Sequence, residues 1–248
     1  LILTQQMILA TMITDEPPMR ALPVCDRKFL VSPMQPVIYQ VTAEAGALQP
    51  IDRDTTLVIR GQGLQQETTF VRIGTVEAVP NTISANQLRF SLTLIPSNQL
   101  RAGVQNLQVV QRPIQSRSPI LARGVESNPV PFILRPTILA VQVIQVQGHD
   151  EEPRSAQIQV QVDPPICPDQ QVVLILNQRS VRYPLSYIFN APRCSRETQI
   201  LTIPVHNLKP AEFLVRLRVD GAESLLTMDA NPNSPTFEQY IAPSIVIE

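Results

Sequence analysis

The sequence predicts an all-β protein: two β-sandwiches in tandem behind a short N-terminal extension. Three observations carry that prediction. The 248 residues contain 24 prolines against 8 glycines. Proline breaks helices and central strands, so the chain must be built from short strands and many connections. After residue 35, apolar and polar residues alternate in short runs, the period of half-buried strands. A Pro-x-Ile phrase recurs at Pro36, Pro136 and Pro243. Each interval is the size of one sandwich domain, roughly 100 residues.

Composition narrows the function. Hydrophobic residues make up 44%, enough for packed cores, yet no run reaches the ~18 apolar residues of a membrane span. A net charge of −1 argues against phosphate-driven nucleic-acid binding, which needs a basic surface. There is no tryptophan, and aromatics are 4%, so a stacking platform for bases or sugars is poorly supplied. Lys28 and Lys209 are the only lysines among the 20 basic residues. Arginine's planar fork favours fixed ion pairs and interfaces, with genomic codon bias the bland alternative. Cys25, Cys167 and Cys194 form no CxxC or metal-ligand spacing. This sparse set fits a reducing compartment. Cys167 and Cys194 could face each other, but buried free thiols are the favoured reading.

Taken in order, residues 1–34 form a segment that continues from, or docks on, another domain. Leu3, Met7, Ile8 and Met12 suit one face of a short helix over residues 1–13, ended by Pro17 and Pro18. Lys28 to Val31 reads as a strand. The start lacks a charged n-region, so it is not read as a signal peptide. The expectation is a chain that begins inside a longer protein.

The first module spans residues 35–135. Its predicted strands are 37–41, 55–60, 69–73, 87–95, 103–110 and 130–134. Leu88, Phe90, Leu92 and Leu94 mark the clearest alternation. Gly61 and Gly63 predict a tight turn, and residues 112–119 an exposed polar loop. The second module spans 136–248, with strands at 138–147, 155–162, 171–176, 198–203, 212–219 and 245–247. Gln157 to Val162 alternates without a break. Ile95-Pro96 is echoed by Ile203-Pro204, one module further along the chain. In both places a strand is expected to end, turn and return. Internal duplication accounts for the match.

The first module resembles an IPT/TIG domain, an immunoglobulin-like sandwich. The residues that carry the likeness are Pro36 to Ile38, Leu57 to Leu64, Val71 to Gly74, and Leu100 to Gly103 leading into Val109. The second module looks like a diverged relative, with Asn177 near where the first has its Gly-Gln-Gly turn. Phe213 to Ser224, followed by Tyr240 to Ile247, resembles the C-terminal region of tail-cap (tube-terminator) proteins of phage-tail-like contractile injection systems. That resemblance implies a structural protein assembled in the bacterial cytoplasm as part of such a particle, which is then released or membrane-attached. It implies inner tube and sheath proteins as partners, and a homo-oligomeric ring, a hexamer.

No group of residues makes a convincing reactive set. His149 with Asp150, Glu151 and Glu152 reads as a solvated acidic turn rather than a metal site. His206 reads as part of a turn without a nucleophile frame. Asp220-Gly221 with Glu223 and Ser224 reads as a hairpin turn rather than a carboxylate pair. Asp52, Arg53 and Asp54 read as a charged loop. Gly61-Gln-Gly63 lacks the rest of a phosphate-binding loop. Arg112, Arg117 and Arg123 form the only basic loop cluster, the minimum a DNA-binding reading would need. The expectation is therefore no enzyme, no catalytic, cofactor or metal residues, no cofactor, no nucleic acid and no direct membrane span. The leading reading is a structural cap acting by assembly. The alternative is an immunoglobulin-like binding module, an adhesin or carbohydrate-binding accessory domain. Residues 1–34 and the strand Val130 to Leu134 are the expected contact regions.

Overall fold

The computed structural model describes residues 35–66, 68–112, 124–150, 152–179 and 182–248. The expectations placed on residues 1–34, on Cys25, on residues 113–119 of the polar loop, on Glu151, and on Arg117 and Arg123 lie outside the described residues.

Among the described residues the first nine strands pair only among themselves. They are β1 (Val37–Ala43), β2 (Thr56–Gln62), β3 (Thr69–Ile73), β4 (Val76–Ala78), β5 (Thr82–Ile83), β6 (Gln87–Ser91), β7 (Gly103–Gln111), β8 (Val125–Glu126) and β9 (Val130–Leu134). One sheet runs β1-β2-β6-β5. The other runs β4-β3-β7-β8, with β9 also paired to β7. Between them lies a core that includes Leu57, Ile59, Ile73, Leu88, Phe90, Leu107 and Leu134.

The remaining ten strands form the second sandwich. They are β10 (Thr137–Gln147), β11 (Arg154–Ile166), β12 (Val172–Gln178), β13 (Ser186–Asn190), β14 (Thr198–Leu208), β15 (Ala211–Val219), β16 (Ala222–Glu223), β17 (Thr227–Met228), β18 (Tyr240–Ala242) and β19 (Ser244–Ile247). Its sheets run β10-β11-β14 and β13-β12-β15-β16, with β19 paired to β15. β17 and β18 make a separate small hairpin. The alternation expected for 157–162 is present: Ile158, Val160 and Val162 are buried in the second core, and Gln157, Gln159 and Gln161 are not.

The β4-β3-β7-β8 and β13-β12-β15-β16 sheets match strand for strand, and β10-β11-β14 follows β1-β2-β6 with no counterpart of β5, so the second sandwich repeats the first. The duplication extends to single atoms. In the first sandwich the Val109 amide donates to Ser127 Oγ at 2.8 Å, and the Ser127 amide donates to the Val109 carbonyl at 2.9 Å. In the second, the Leu217 amide donates to Ser224 Oγ at 2.9 Å, and the Ser224 amide to the Leu217 carbonyl at 2.8 Å. Both serines are buried. Gly103 pairs with Leu134 as Ala211 pairs with Ile247. The step from Val109 to Leu217 equals the step from Gly103 to Ala211, and both equal the step between the two Ile-Pro pairs.

Several expectations need correction. Strand 87–95 stops at Ser91, and Leu92–Leu94 form a 3-10 turn closed by the Ile95 amide on the Leu92 carbonyl. Leu92 and Ile95, three apart, are both buried. That is the spacing of one face at three residues per turn. Leu94 faces out. The Ile-Pro echo is not two equivalent strand ends. β14 continues through Pro204 to Leu208. Because β14 pairs only with β11 among the described residues, Pro204 sits on an edge, where a missing N–H breaks no ladder. His206 accordingly lies in a strand, not a turn. The three Pro-x-Ile marks also differ: Pro36 and Pro136 precede the first strands β1 and β10, but Pro243 precedes the last strand β19. Asn177 does not replace the Gly-Gln-Gly turn. It stands at the end of β12, the counterpart of β3, and so at the position of Gly74. Cys167 and Cys194 are free but only half-buried.

Val130 to Leu134 is not an open edge. β9 is paired to β7 along its length. On its other side, Leu134 bridges to Ile51. Just ahead of β9, Asn128 clamps β1: its Oδ1 accepts from the Ile38 amide at 2.8 Å and its Nδ2 donates to the Ile38 carbonyl at 2.9 Å.

The expected tight turn over 61–63 divides between two glycines. Gly63 turns the chain at φ +67. Gly61 lies inside β2, opposite a register shift in β1, and a Cβ built on it would stand 2.1 Å from the Val37 carbonyl oxygen. No side chain fits there. Gly61→Ala is therefore expected to cost about 1–3 kcal/mol, the range of enforced backbone strain. The check is a lowered urea midpoint at unchanged slope; a midpoint equal to that of the parent protein would refute the close approach.

Candidate functional site

A network of polar side chains gathers where the two sandwiches meet. β9 ends at Leu134, and β10 begins at Thr137. The two residues between them leave no slack. The Arg135 amide donates to the Ile51 carbonyl at 2.8 Å, and its Nη1 reaches the Glu223 carbonyl at 3.1 Å. One residue thus ties into both sandwiches.

A second strand of chain crosses the same joint. Ser97–Gln99 form a 3-10 turn, and the loop leads through Arg101 and Ala102 into β7. Ala102 is buried in the core of the second sandwich, while Leu100 belongs to the first. Against this loop sits Gln170, itself buried. Its Nε2 donates to the Ala102 carbonyl at 2.9 Å and to Asp220 Oδ2 at 3.0 Å, and its Oε1 accepts from the Cys167 amide at 3.0 Å. Asp220 Oδ1 accepts the Gln171 amide at 2.9 Å. Ser97 Oγ donates to the Asp163 carboxylate. Arg101 pairs with Asp169 at 2.9 Å. That last pair is largely exposed, and such pairs contribute about 0–1 kcal/mol. The buried amide matters more, because an unpaired buried polar group costs about 1–3 kcal/mol.

Asp220 and Gly221 make the hairpin expected of them. Their φ values are +45 and +89, and Val219 pairs with Ala222 across a two-residue turn. Positive φ at both central positions defines the tight hairpin turn that Asp-Gly favours. Sequence reasoning misses Asp220's other contact, the one with Gln170. The only available signal is the glycine at 103: a Cβ there would stand 3.2 Å from Asp220 Cβ.

Glu223 follows in β16 and holds two arginines. Arg218 Nη2 lies 2.5 Å from its Oε1, and Arg216 Nη1 lies 2.8 Å from its Oε2. Arg216 also donates to Asn177 Oδ1 at 2.9 Å. The Arg218 hydrogen bond is the largest influence on the Glu223 carboxyl and outweighs burial, so its pKa lies below the ordinary value. The first sandwich has a matching network. Glu77 takes Arg72 at 2.8 Å and Arg112 at 2.7 Å, and Arg72 also reaches Glu126 at 2.8 Å. Burial alone pushes the Glu77 carboxyl up, but the two guanidinium groups together bring it below its usual value. Every ion pair among the described residues is made by arginine, the use its fork suggests.

The other singled-out residues lie apart. His149 is exposed in a turn, with Asp150 at φ +51. The Asp150 and Glu152 carbonyls there accept from the Arg154 guanidinium. His206 is exposed on β14, edge-on to Phe189 at 5.4 Å. Asp52 caps its own turn, accepting the Asp54 amide at 3.2 Å and the Thr55 hydroxyl at 2.7 Å. Arg53 donates to the Leu92 carbonyl. Arg112 is held by Glu77 and lies 5.2 Å from the Phe70 ring centre. A recess of about 500 Å³ beside the joint is lined by residues including Glu77, Gln99, Arg101 and Cys167. Burial raises the Cys167 thiol pKa, and the nearby Arg101 charge only partly opposes this. Among the described residues no helix is long and apolar enough to cross a membrane.

This geometry defines a class: an all-β protein of immunoglobulin-like sandwiches joined by a polar network. Comparison with known families agrees on the immunoglobulin-like fold. Residues 36–121 match the IPT/TIG domain, and residues 136–246 match a domain of unknown function, DUF8756. No curated protein matches the chain.

Two measurements test this site. Gln170→Ala removes three hydrogen bonds and strands the Ala102 carbonyl. Stability should fall by about 1–3 kcal/mol, with faster hydrogen exchange at residues 97–103 and 167–171; unchanged exchange would show that the amide does not hold the joint. The second concerns acid. A carboxyl whose folded pKa is depressed adds stability above its unfolded pKa, near 4.3 for glutamate, and loses it as pH falls through the folded value. Stability should therefore drop from about pH 5 downward. Glu223→Gln should flatten that limb while lowering stability at pH 7, a difference read from urea midpoints across pH.

Proposed function

We propose that this chain is a structural cap component, the tube and sheath terminator, of a phage-tail-like contractile injection system. It acts by assembly rather than catalysis, with the inner tube and sheath proteins as partners, in a six-fold ring put together in the bacterial cytoplasm. One observation carries the reading. The two stretches whose spelling resembles tail-cap proteins, Phe213 to Ser224 and Tyr240 to Ile247, fall in β15, β16, β18 and β19. They supply Asp220 and the Glu223 carbonyl, two of the groups that fasten the sandwiches together. A part that bears load between particle components needs such a joint, and a hinge there would defeat it.

The alternative is a binding module of the adhesin or carbohydrate-accessory kind. It is favoured by the excursion between β16 and β19, which exposes Leu225, Met228, Phe237 and Tyr240. Asp229 organises this excursion by accepting the Asn231 amide at 3.0 Å and the Thr236 hydroxyl at 2.6 Å.

The deciding experiment is co-sedimentation of the complete gene product with purified tube and sheath, followed by negative-stain imaging of the ends. The expected result is density at one end of the tube that disappears when the gene is deleted. A product that never sediments with tube or sheath would remove the cap reading. Saturable glycan or cell binding lost in Tyr240→Ala would establish the alternative.

A further inference from the structure

We infer that the free edge of β10 pairs with the same edge of a second copy, so that two β10-β11-β14 sheets join into one. This does not depend on the particle assignment. β10 is eleven residues long and, among the described residues, pairs only with β11. Among the described residues no strand ladders onto its other side, although β19 of the facing sheet runs close by. An unpaired row of N–H and C=O groups is a template for another strand.

The other edges are shorter or interrupted. β14 carries Pro204, which lacks a donor. β5 is two residues long, β4 is three and holds Glu77, β13 is five, and β1 is seven and is held at Ile38 by Asn128. β10 has none of the usual protection by charge or proline: Thr137–Gln147 contains no Asp, Glu, Lys, Arg or Pro. Leu139, Ile144 and Val146 are exposed along it. Register shifts fall between Ile138 and Ala140 and between Val143 and Gln145, and they bend the edge without interrupting its central run.

The occupant is a second copy because the strand is complementary to itself. Ile138, Val141, Val143 and Val146 lie opposite Val162, Val160, Ile158 and Ala156 of β11, all buried residues, so they share one face; the first three pack on the core and Val146 is exposed at its end. About a two-fold axis at Gln142, an antiparallel partner sets Val141 against Val143 and Ile138 against Val146. The same face meets itself throughout, as a shared sheet requires. A two-fold contact opposes each patch to itself, and an uncharged strand brings no like charges together. The ends match as well. The end that carries Arg135 meets the end that carries Asp150 and Glu152.

The test is sedimentation velocity of the whole 248-residue chain up to about 100 μM, since an edge contact of this size belongs with the weaker specific interfaces. The expected result is a monomer–dimer equilibrium. Ile144→Lys, an exposed substitution, should weaken it at least tenfold with an unchanged melting curve. Register is read by cross-linking in a background with Cys25, Cys167 and Cys194 changed to serine. Gln142→Cys meets itself at about 5 Å and should form a disulfide-linked dimer under mild oxidation. Gln147→Cys would be about 33 Å from its copy and should not. A chain that stays monomeric, a dimer that survives Ile144→Lys, or linking at 147 in preference to 142 would each overturn the inference.

Discussion

The joint depends on one buried amide. Gln170 makes three hydrogen bonds, and they reach a carbonyl of the first sandwich, a carboxylate at the far hairpin, and its own loop. An amide out of water is costly unless every group is met. Its satisfaction therefore fixes the loop at Ala102, the hairpin at Asp220 and the turn at Cys167 in one arrangement. Ala102 then plugs the second core from the first sandwich. The apolar contact alone is small and could slide, whereas the directional bonds remove that freedom. The exposed Arg101–Asp169 pair adds little beside it.

The same use of directional bonds appears in the paired serine clips. Each sandwich must close the chain back onto its central strand just after a hairpin, and each does so with a serine that gives and takes one bond. What differs is where the extra residues went. The first sandwich places its long connection inside the hairpin, between β7 and β8. The second shortens that hairpin to Asp220-Gly221 and places its long connection afterwards, before β19. The short hairpin is what places Asp220 against Gln170, so the joint uses a feature in which the two copies differ.

Much of this fold is legible in the sequence. Alternation locates the long strands, because a half-buried strand writes its two faces directly into the order of residues. The duplication shows in the constant offset between echoed residues, although the Ile-Pro pair that reveals it sits in a turn in one copy and mid-strand in the other. Short strands such as β5, β8 and β16 escape such a reading, since two residues cannot establish a period. Leu92 reads as strand because a 3-10 turn and a strand both bury it. The joint is not legible. Gln170, Ala102 and Asp220 are far apart in sequence, and glutamine and alanine carry no signature of their own. Asp220 is fully accounted for by its hairpin, and that sufficient local explanation conceals its long-range one.

Edge management separates the two sandwiches further. In the first, Asn128 clamps β1 through both backbone groups of Ile38, and β9 is bridged at Leu134 to Ile51. The flank of β1 is thereby occupied by its own chain at Ile38. β10 is the counterpart of β1, yet the second sandwich has no asparagine clamp on it among the described residues. β10 is also longer than β1 by four residues and free of charge. Duplication copied the strand but not its cover. An edge left long, apolar and uncapped beside a joint built not to flex is a surface held at a fixed position. Geometric constancy of that kind is what a two-fold contact between identical copies requires.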